Sequence, residues 1–133
     1  MILEFVVPGQ PVAKGRPRMS KSGHVFTPKK TKNYERLVAG LAKKQWMFEP
    51  MRGALKLQVT CVFARPKRLM RKADPQERVW KIGRPDLDNC IKSVADGLHV
   101  VMKDDAQIVW IEASKMYAAK GEEPCVIVRL EPA

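Results

Sequence analysis

Apolar and polar residues alternate over residues 2–7, with Leu3, Phe5 and Val7 on one side and Ile2, Glu4 and Val6 on the other, which predicts a strand. Pro8, Gly9 and Pro11 end it. The period lengthens to three and four residues over 31–48, where Tyr34, Leu37, Val38, Leu41, Ala42 and Trp46 form the stripe of an amphipathic helix and Lys32, Arg36, Lys43 and Lys44 lie off it. Clean alternation returns over 54–63, with Leu55, Leu57, Val59, Cys61 and Phe63 inward and Lys56, Gln58 and Thr60 outward. Residues 65–84 carry no period at all. Beyond them Ile91, Val94, Ala95 and Leu98 recur at helical spacing, predicting a second helix capped by Asp88 and ending near Gly97 or His99. Residues 107–117 alternate with both faces partly apolar, and a turn at 120–124 leads into the apolar run 125–130. These last two segments are expected to pair as an antiparallel hairpin. The pattern predicts a single α+β domain over residues 1–133, a mainly antiparallel (mixed) sheet of four to five strands with two principal helices.

A chain of 133 residues buries roughly two-thirds of the surface its unfolded form exposes, enough for a core. Its hydrophobic fraction of 45% and charged fraction of 29% are those of a globular domain rather than a disordered tail. The apolar opening is too short to span a membrane, and no targeting segment or membrane partner is expected. Cys61, Cys90 and Cys125 are widely spaced and set among apolar residues, so they read as reduced core thiols of a cytoplasmic protein rather than as a disulfide or zinc framework. The net charge of +11 alters the picture most, because its field attracts polyanions, nucleic acid above all.

The positive charge gathers in two loops, at about 9–30 and 65–84. The first holds Lys14, Arg16, Arg18 and Lys21 among glycines and prolines, with a hairpin turn expected at Ser22 and Gly23. The second holds Arg65, Lys67, Arg68, Arg71, Lys72, Arg78, Lys81 and Arg84 against only Asp74 and Glu77. Two accounts stand side by side: solvated basic loops, or a clamp for phosphates. The DNA contacts expected on the second account are Lys14, Arg16, Arg18, Arg65, Lys67, Arg68, Arg71, Lys72 and Arg84.

Residues 84–105 form the chemical anomaly. Of the chain's fourteen acidic residues, five aspartates fall here: Asp86, Asp88, Asp96, Asp104 and Asp105. Clustered carboxylates repel one another unless a cation sits among them. Asp88, Lys92, Asp96 and His99 share a band beside the apolar helix stripe, and Asp86 lies in the extended segment that enters the helix. Hard divalent cations take such oxygen ligands together with substrate phosphate. Asp86, Asp88 and Asp105 are the candidate carboxylates, and Lys92 is a candidate for a phosphate oxygen or for charge developing in the transition state. Each residue also has a plain structural account: Asp88 as a helix cap, Lys92 in an ion-pair ladder with Asp88 and Asp96, Asp104 and Asp105 as a polar turn. His24 and His99 read as structural. No glycine-rich phosphate loop or nucleophilic elbow is present, so a nucleotide cofactor and acyl transfer are not expected.

The run RPDLDNCIKSVADGLHVVMKDDAQIVWIEASKMY resembles the RusA family of Holliday junction resolvases, or crossover junction endodeoxyribonucleases, and GQPVAKGRPR, HVFTP and KTKNYE resemble the opening of many members. The resemblance implies an endonuclease dependent on magnesium, with manganese as a substitute, that acts as a homodimer and nicks four-way DNA junctions symmetrically in recombination and repair. It places the acidic metal-binding residues on Asp86, Asp88 and Asp105 and the essential lysine on Lys92, with Asp104 a candidate ligand or a support for one. Apolar residues on the second face of the 107–117 strand, or exposed parts of the first helix, are the candidates for a dimer interface. Two other functions stay open on the residues: a metal nuclease for flaps or forks, and a non-catalytic DNA-binding protein whose aspartates merely cap and turn.

Overall fold

The computed structural model describes all 133 residues. Strand β1 (Leu3–Pro8) leads into a small hairpin, β2 (Arg18–Met19) and β3 (Val25–Phe26), which turns over Ser22 and Gly23 as expected. Helix α1 (Lys29–Gln45) follows, then β4 (Leu55–Phe63), the two-residue β5 (Val79–Trp80), α2 (Leu87–Gly97), β6 (Ile108–Tyr117) and β7 (Cys125–Pro132). The five longer-range strands form one mixed sheet in the order β1-β7-β4-β6-β5. Both helices cover one face of it, and one cluster of 21 buried residues fills the space between, from Leu3, Phe5 and Val7 through Val38 and Ala42 to Leu57, Val59, Val94 and Leu98.

The alternation in β1 and β4 translates directly into this arrangement: Leu3, Phe5 and Val7, and Leu55, Leu57, Val59 and Cys61, all point under the helices and are buried. The expected hairpin of the last two strands is replaced by a different topology. Strand β7 inserts between β1 and β4, antiparallel to both, while β4 and β6 run parallel, joined by the crossover that contains α2. Parallel neighbours need a long crossover, and residues 64–107 supply it. Alternation identifies a strand and its faces but carries no record of which strand lies beside it, so the pairing escapes a local pattern.

Helix α1 stops at Gln45, short of the expected residue 48, because Trp46 takes extended backbone angles and turns inward. Its ring is buried, packs edge-on to Phe48 and donates its indole N–H to the Glu49 carbonyl at 2.9 Å. The loop at 65–84 is also more ordered than its composition suggests. A single 3-10 turn (Lys67–Leu69) and β5 interrupt it. Cations hold it: the Arg65 guanidinium donates to the carbonyls of Leu69, Pro75, Glu77 and Ala118, and the Lys120 ammonium to those of Arg71 and Asp74. Order maintained by side-chain donors on backbone carbonyls leaves no hydrophobic period to read. The Arg78 guanidinium further ties this loop to the turn before β7 through a two-pronged contact with Glu122.

Helices α1 and α2 approach closely at Gly97, where an added Cβ would stand 2.7 Å from the Val38 side chain and 2.9 Å from the Glu35 carbonyl oxygen. Gly97→Ala therefore forces the helices apart, and urea unfolding is expected to show a loss of roughly 1–3 kcal/mol. The Arg78 guanidinium and the Ala119 N–H hold the Glu122 carboxyl at about 2, below its ordinary 4.5. A carboxyl lowered by folding stabilises above its unfolded value and loses that contribution as pH falls through the folded one. Glu122→Gln is expected to lower stability at neutral pH by roughly 0.5–1 kcal/mol, given solvent screening. The gap between variant and native urea midpoints should close between pH 4.5 and 2.

Candidate active site

The site is assembled around the start of α2. The helix begins at Leu87 with Asp86 at the cap position, two residues before the expected cap at Asp88. Asp86 makes no side-chain capping bond, and Asp88 lies in the first turn, so neither carboxylate is consumed in closing the helix. The positive end of the helix dipole favours both charges there. The account of Asp88 as a simple cap therefore fails. The ion-pair ladder fails too, because Lys92 is exposed and forms no salt bridge, whereas Asp96 pairs with Lys14.

The first basic loop is docked directly onto α2. The Lys14 N–H donates to the Asn89 carbonyl at 2.9 Å, and the buried Ser93 hydroxyl donates to the Val12 carbonyl at 2.6 Å. On the α1 side the Gly15 N–H donates to the Thr31 hydroxyl at 3.0 Å, and a Cβ at Gly15 would already touch Pro28 and Thr31. The Lys14 ammonium closes the arrangement, lying 2.5 Å from Glu35 of α1 and 2.8 Å from Asp96 of α2. Burial works against its charge, but the Asp96 and Glu35 carboxylates outweigh it and hold its pKa above the ordinary value. Lys14 was expected at the DNA; the structure engages its ammonium with two carboxylates within the chain instead. Arg65 is likewise engaged with carbonyls. Both side chains shape the loops that carry the remaining cations.

Those cations line a cleft of about 610 Å³ between the first loop, the start of α1 and the segment before α2, with Arg16, Arg18, Lys30, Lys81 and Arg84 in its walls. The cleft continues, across Arg16, Arg84 and Pro85, into a second depression lined by Asp86 and Asn89. Phe63 forms part of the wall, and the Lys81 ammonium sits 5.2 Å from its ring centre and 5.0 Å from that of Tyr117. The Lys115 ammonium of β6 donates to the carbonyls of Gly83 and, at 2.8 Å, of Pro85, fixing the segment that delivers Arg84 and Asp86. Lys30, Lys81 and Lys115 are site residues that no motif in the sequence marks. Lys81 was visible only as one of many charges in a loop, and Lys30 and Lys115 lie in a helix and a strand, where a lysine is ordinarily a solvated side chain.

The second acidic pair divides its duties. Asp104 caps the 3-10 turn Asp105–Gln107: its carboxylate accepts the Ala106 N–H at 2.9 Å, and the Gln107 side-chain oxygen accepts the Asp104 N–H at 3.0 Å. The Ala106 N–H foremost, with Asp105 beside it, holds the Asp104 carboxyl below the usual range. The Gln107 amide also donates to the carbonyls of Met51 and Gly53, anchoring the start of β6. The polar-turn account is thus right for Asp104. Asp105 extends to the far end of α2, where its carboxylate, that of Asp96 and the His99 ring place donor atoms within 4.8 Å of one another. This is the only such trio in the chain. Asp86 and Asp88 do not join it, since the roughly 15 Å rise of a ten-residue helical segment separates the ends of α2. The structure thus distributes the acids along one flank of the helix, with Lys92 between them.

Residues 8–131 match the family model described as "Endodeoxyribonuclease RusA". The chain belongs to the RusA endodeoxyribonuclease family. It is 34% identical to an uncharacterized protein, YqaN, of Bacillus subtilis (strain 168), over 96% of this chain and 94% of that one. It is also 46% identical over 44 residues, 32% of this chain and 34% of the relative, to a protein of Lactococcus phage r1t named crossover junction endodeoxyribonuclease rusA. The cleft and its acids are thus the parts of an endodeoxyribonuclease-family member. As a test of which cations serve the fold and which the cleft, Arg65→Ala should lower stability by roughly 1.5–3 kcal/mol in urea unfolding. Arg84→Ala should leave stability within about 0.5 kcal/mol while weakening DNA binding and reducing the log–log salt slope by about one.

Proposed function

We propose that the protein resolves four-way DNA junctions by divalent-metal-dependent phosphodiester hydrolysis, as a homodimer that nicks two opposed strands in recombination and repair. The observation that carries this reading is the cleft lined by five cations that opens onto the unengaged carboxylate of Asp86 at the start of α2. A wholly acidic site would repel a phosphodiester strand; Arg16, Arg18, Lys30, Lys81 and Arg84 offset that charge and draw the backbone toward Asp86. Lys67, Arg68, Arg71 and Lys72 do not line the cleft, and on this reading the second basic loop offers them to the arms of the substrate. The relative from the Lactococcus phage carries the crossover-junction name, which points the reading toward four-way rather than linear DNA.

Asp86 and Asp88 offer hard, exposed oxygen donors beside a phosphate-binding cleft, a donor set that fits magnesium, with manganese as a substitute. When bound, that ion supplies Lewis-acid polarisation of the scissile phosphate and favours deprotonation of the attacking water. Asp105, which the resemblance adds to this set, stands instead with Asp96 and His99 at the far end of α2, and Asp104 fixes the turn that carries it. Lys92, free of any ion pair, orients a non-bridging phosphate oxygen and stabilises the charge that grows on it. The guanidinium groups of Arg16 and Arg84 hold neighbouring phosphates and set the register of the strand. Two such sites related by a two-fold axis match the approximate two-fold symmetry of a junction.

The deciding measurement is cleavage of a synthetic four-way junction with magnesium, compared with matched flap, fork and linear duplexes. The native chain should cut the junction fastest and in paired opposed strands. Asp88→Asn should abolish cutting, and Lys92→Ala should slow it on the order of 100-fold, both binding junction within a few-fold of native. A native chain that binds junctions yet cuts none under magnesium or manganese overturns the enzymatic reading. Equal rates on flaps and junctions would replace the substrate.

A further inference from the structure

The segment that runs from β5 into Asp86 carries two large apolar side chains that avoid the core. Ile82 is 92% exposed, more than any other large hydrophobic residue of the chain, and Trp80 is 71% exposed. Want of order is not the reason. Val79 and Trp80 pair with Tyr117 and Met116 of β6, the Lys81 N–H donates to the Lys115 carbonyl at 3.3 Å, and the Lys115 ammonium donates to the Gly83 carbonyl. The backbone is held while both side chains are presented to solvent. Neighbouring residues of an extended segment point to opposite sides. Lys81 thus turns into the basic cleft, against the rings of Phe63 and Tyr117, whereas Trp80 and Ile82 line a separate depression of about 380 Å³ with Arg68, Leu69, Pro75 and Tyr117. Of the three tryptophans, Trp46 is buried with its N–H bonded and Trp110 has the Lys56 ammonium over its ring; Trp80 has neither a ring nor a cation against its face.

We infer that this depression takes an unstacked base of the DNA substrate at its branch point, with the Trp80 indole as the stacking surface and Ile82 as the wedge beside it. The inference rests on the junction reading above and names residues that tell a junction from a duplex. Phosphate contacts in the cleft form on any DNA and carry no such information. A continuous duplex keeps every base stacked. A branch point leaves bases whose π-faces have lost a neighbour, and exposed aromatic and aliphatic side chains cover such faces.

Charge argues for this occupant over a second copy of the chain or an apolar face of another protein. Arg68 stands at the depression, and Lys81 and Arg84 of the same segment line the cleft, so on a molecule of net charge +11 these apolar groups are ringed by cations. Two such rims repel one another, while a nucleic acid brings an apolar base and a phosphate for the neighbouring cation together. Position agrees with charge. The segment that presents Trp80 also delivers Arg84 and Asp86, so a base held there fixes its strand relative to both.

Fluorescence anisotropy without divalent metal, on a synthetic four-way junction and on a linear duplex of the same arm sequence, tests the inference. Native protein should bind the junction more tightly. Trp80→Ala and Ile82→Ala should each weaken junction binding ~10-fold and leave duplex binding within about twofold, with unchanged circular dichroism, and Trp80→Phe should keep most of the junction affinity. Photocrosslinking of the unsubstituted chain is a check that needs no variant: 5-iododeoxyuridine at the branch point should couple to the peptide that carries Trp80, and the same base in mid-arm should not. Variants that lose duplex and junction binding alike make the pair a general DNA contact and overturn the inference, as does a branch-point base that couples elsewhere. Variants that bind both DNAs like native protein hand the depression to another partner, with the same consequence. A native chain that binds junction no tighter than duplex removes the junction reading itself, and the inference with it.

Discussion

One ammonium group sets the working geometry of this protein. Lys14 bridges Glu35 of α1 and Asp96 of α2, and its own backbone N–H is bonded to Asn89, so three segments distant in sequence are held at one point. The contact is partly withdrawn from water, where opposite charges attract more strongly and a lost partner leaves an uncompensated charge. From it follow the height of the first basic loop above α2, the position of Arg16 against Arg84, and the engagement of Asp96, which leaves Lys92 without a carboxylate partner. A residue that composition assigns to the substrate thus serves to place those that face it.

The same division of labour recurs through the basic loops. Arg65, Arg78, Lys115 and Lys120 turn their donors inward to carbonyls or to Glu122, whereas Arg16, Arg18, Lys30, Lys81 and Arg84 line the cleft. Loops that lack hydrophobic residues cannot be ordered by burial, so they are ordered by charge-assisted hydrogen bonds, which are individually stronger than neutral ones. An excess of cations lets the chain use some as fasteners and still present a positive surface. The acids are divided in a parallel way: Asp104 is committed to its turn, while Asp86 and Asp88 enter α2 without capping it.

Much of this was legible in the residues. Alternation located β1, β4, β6 and β7 and the buried side of β1 and β4, because a strand's period is a property of its own backbone. The stripe at Tyr34, Val38 and Ala42 located α1, and that at Val94 and Leu98 located α2. The segment bearing Asp86, Asp88, Lys92 and Asp105 stood out because dense like charge is costly and calls for a reason. The hairpin of β2 and β3 followed from Ser22 and Gly23, the latter at a positive φ of 86°.

What the tertiary structure alone decided are relations between distant segments. That β7 slots between β1 and β4 and leaves β6 beside a two-residue strand depends on where the crossover through α2 returns the chain, which no local period records. That Lys14 and Arg65 face carboxylates and carbonyls, while Lys30 and Lys81 face the cleft, depends on partners that are mostly distant in sequence, Asp96 for Lys14 and Ala118 for Arg65 among them. Sequence chemistry determined that this chain would concentrate acid within a basic surface. Only the packing of α2 against α1 and the first loop determined which charges neutralise one another and which remain free for a substrate, because a charge acts through distance and burial, and both belong to the fold.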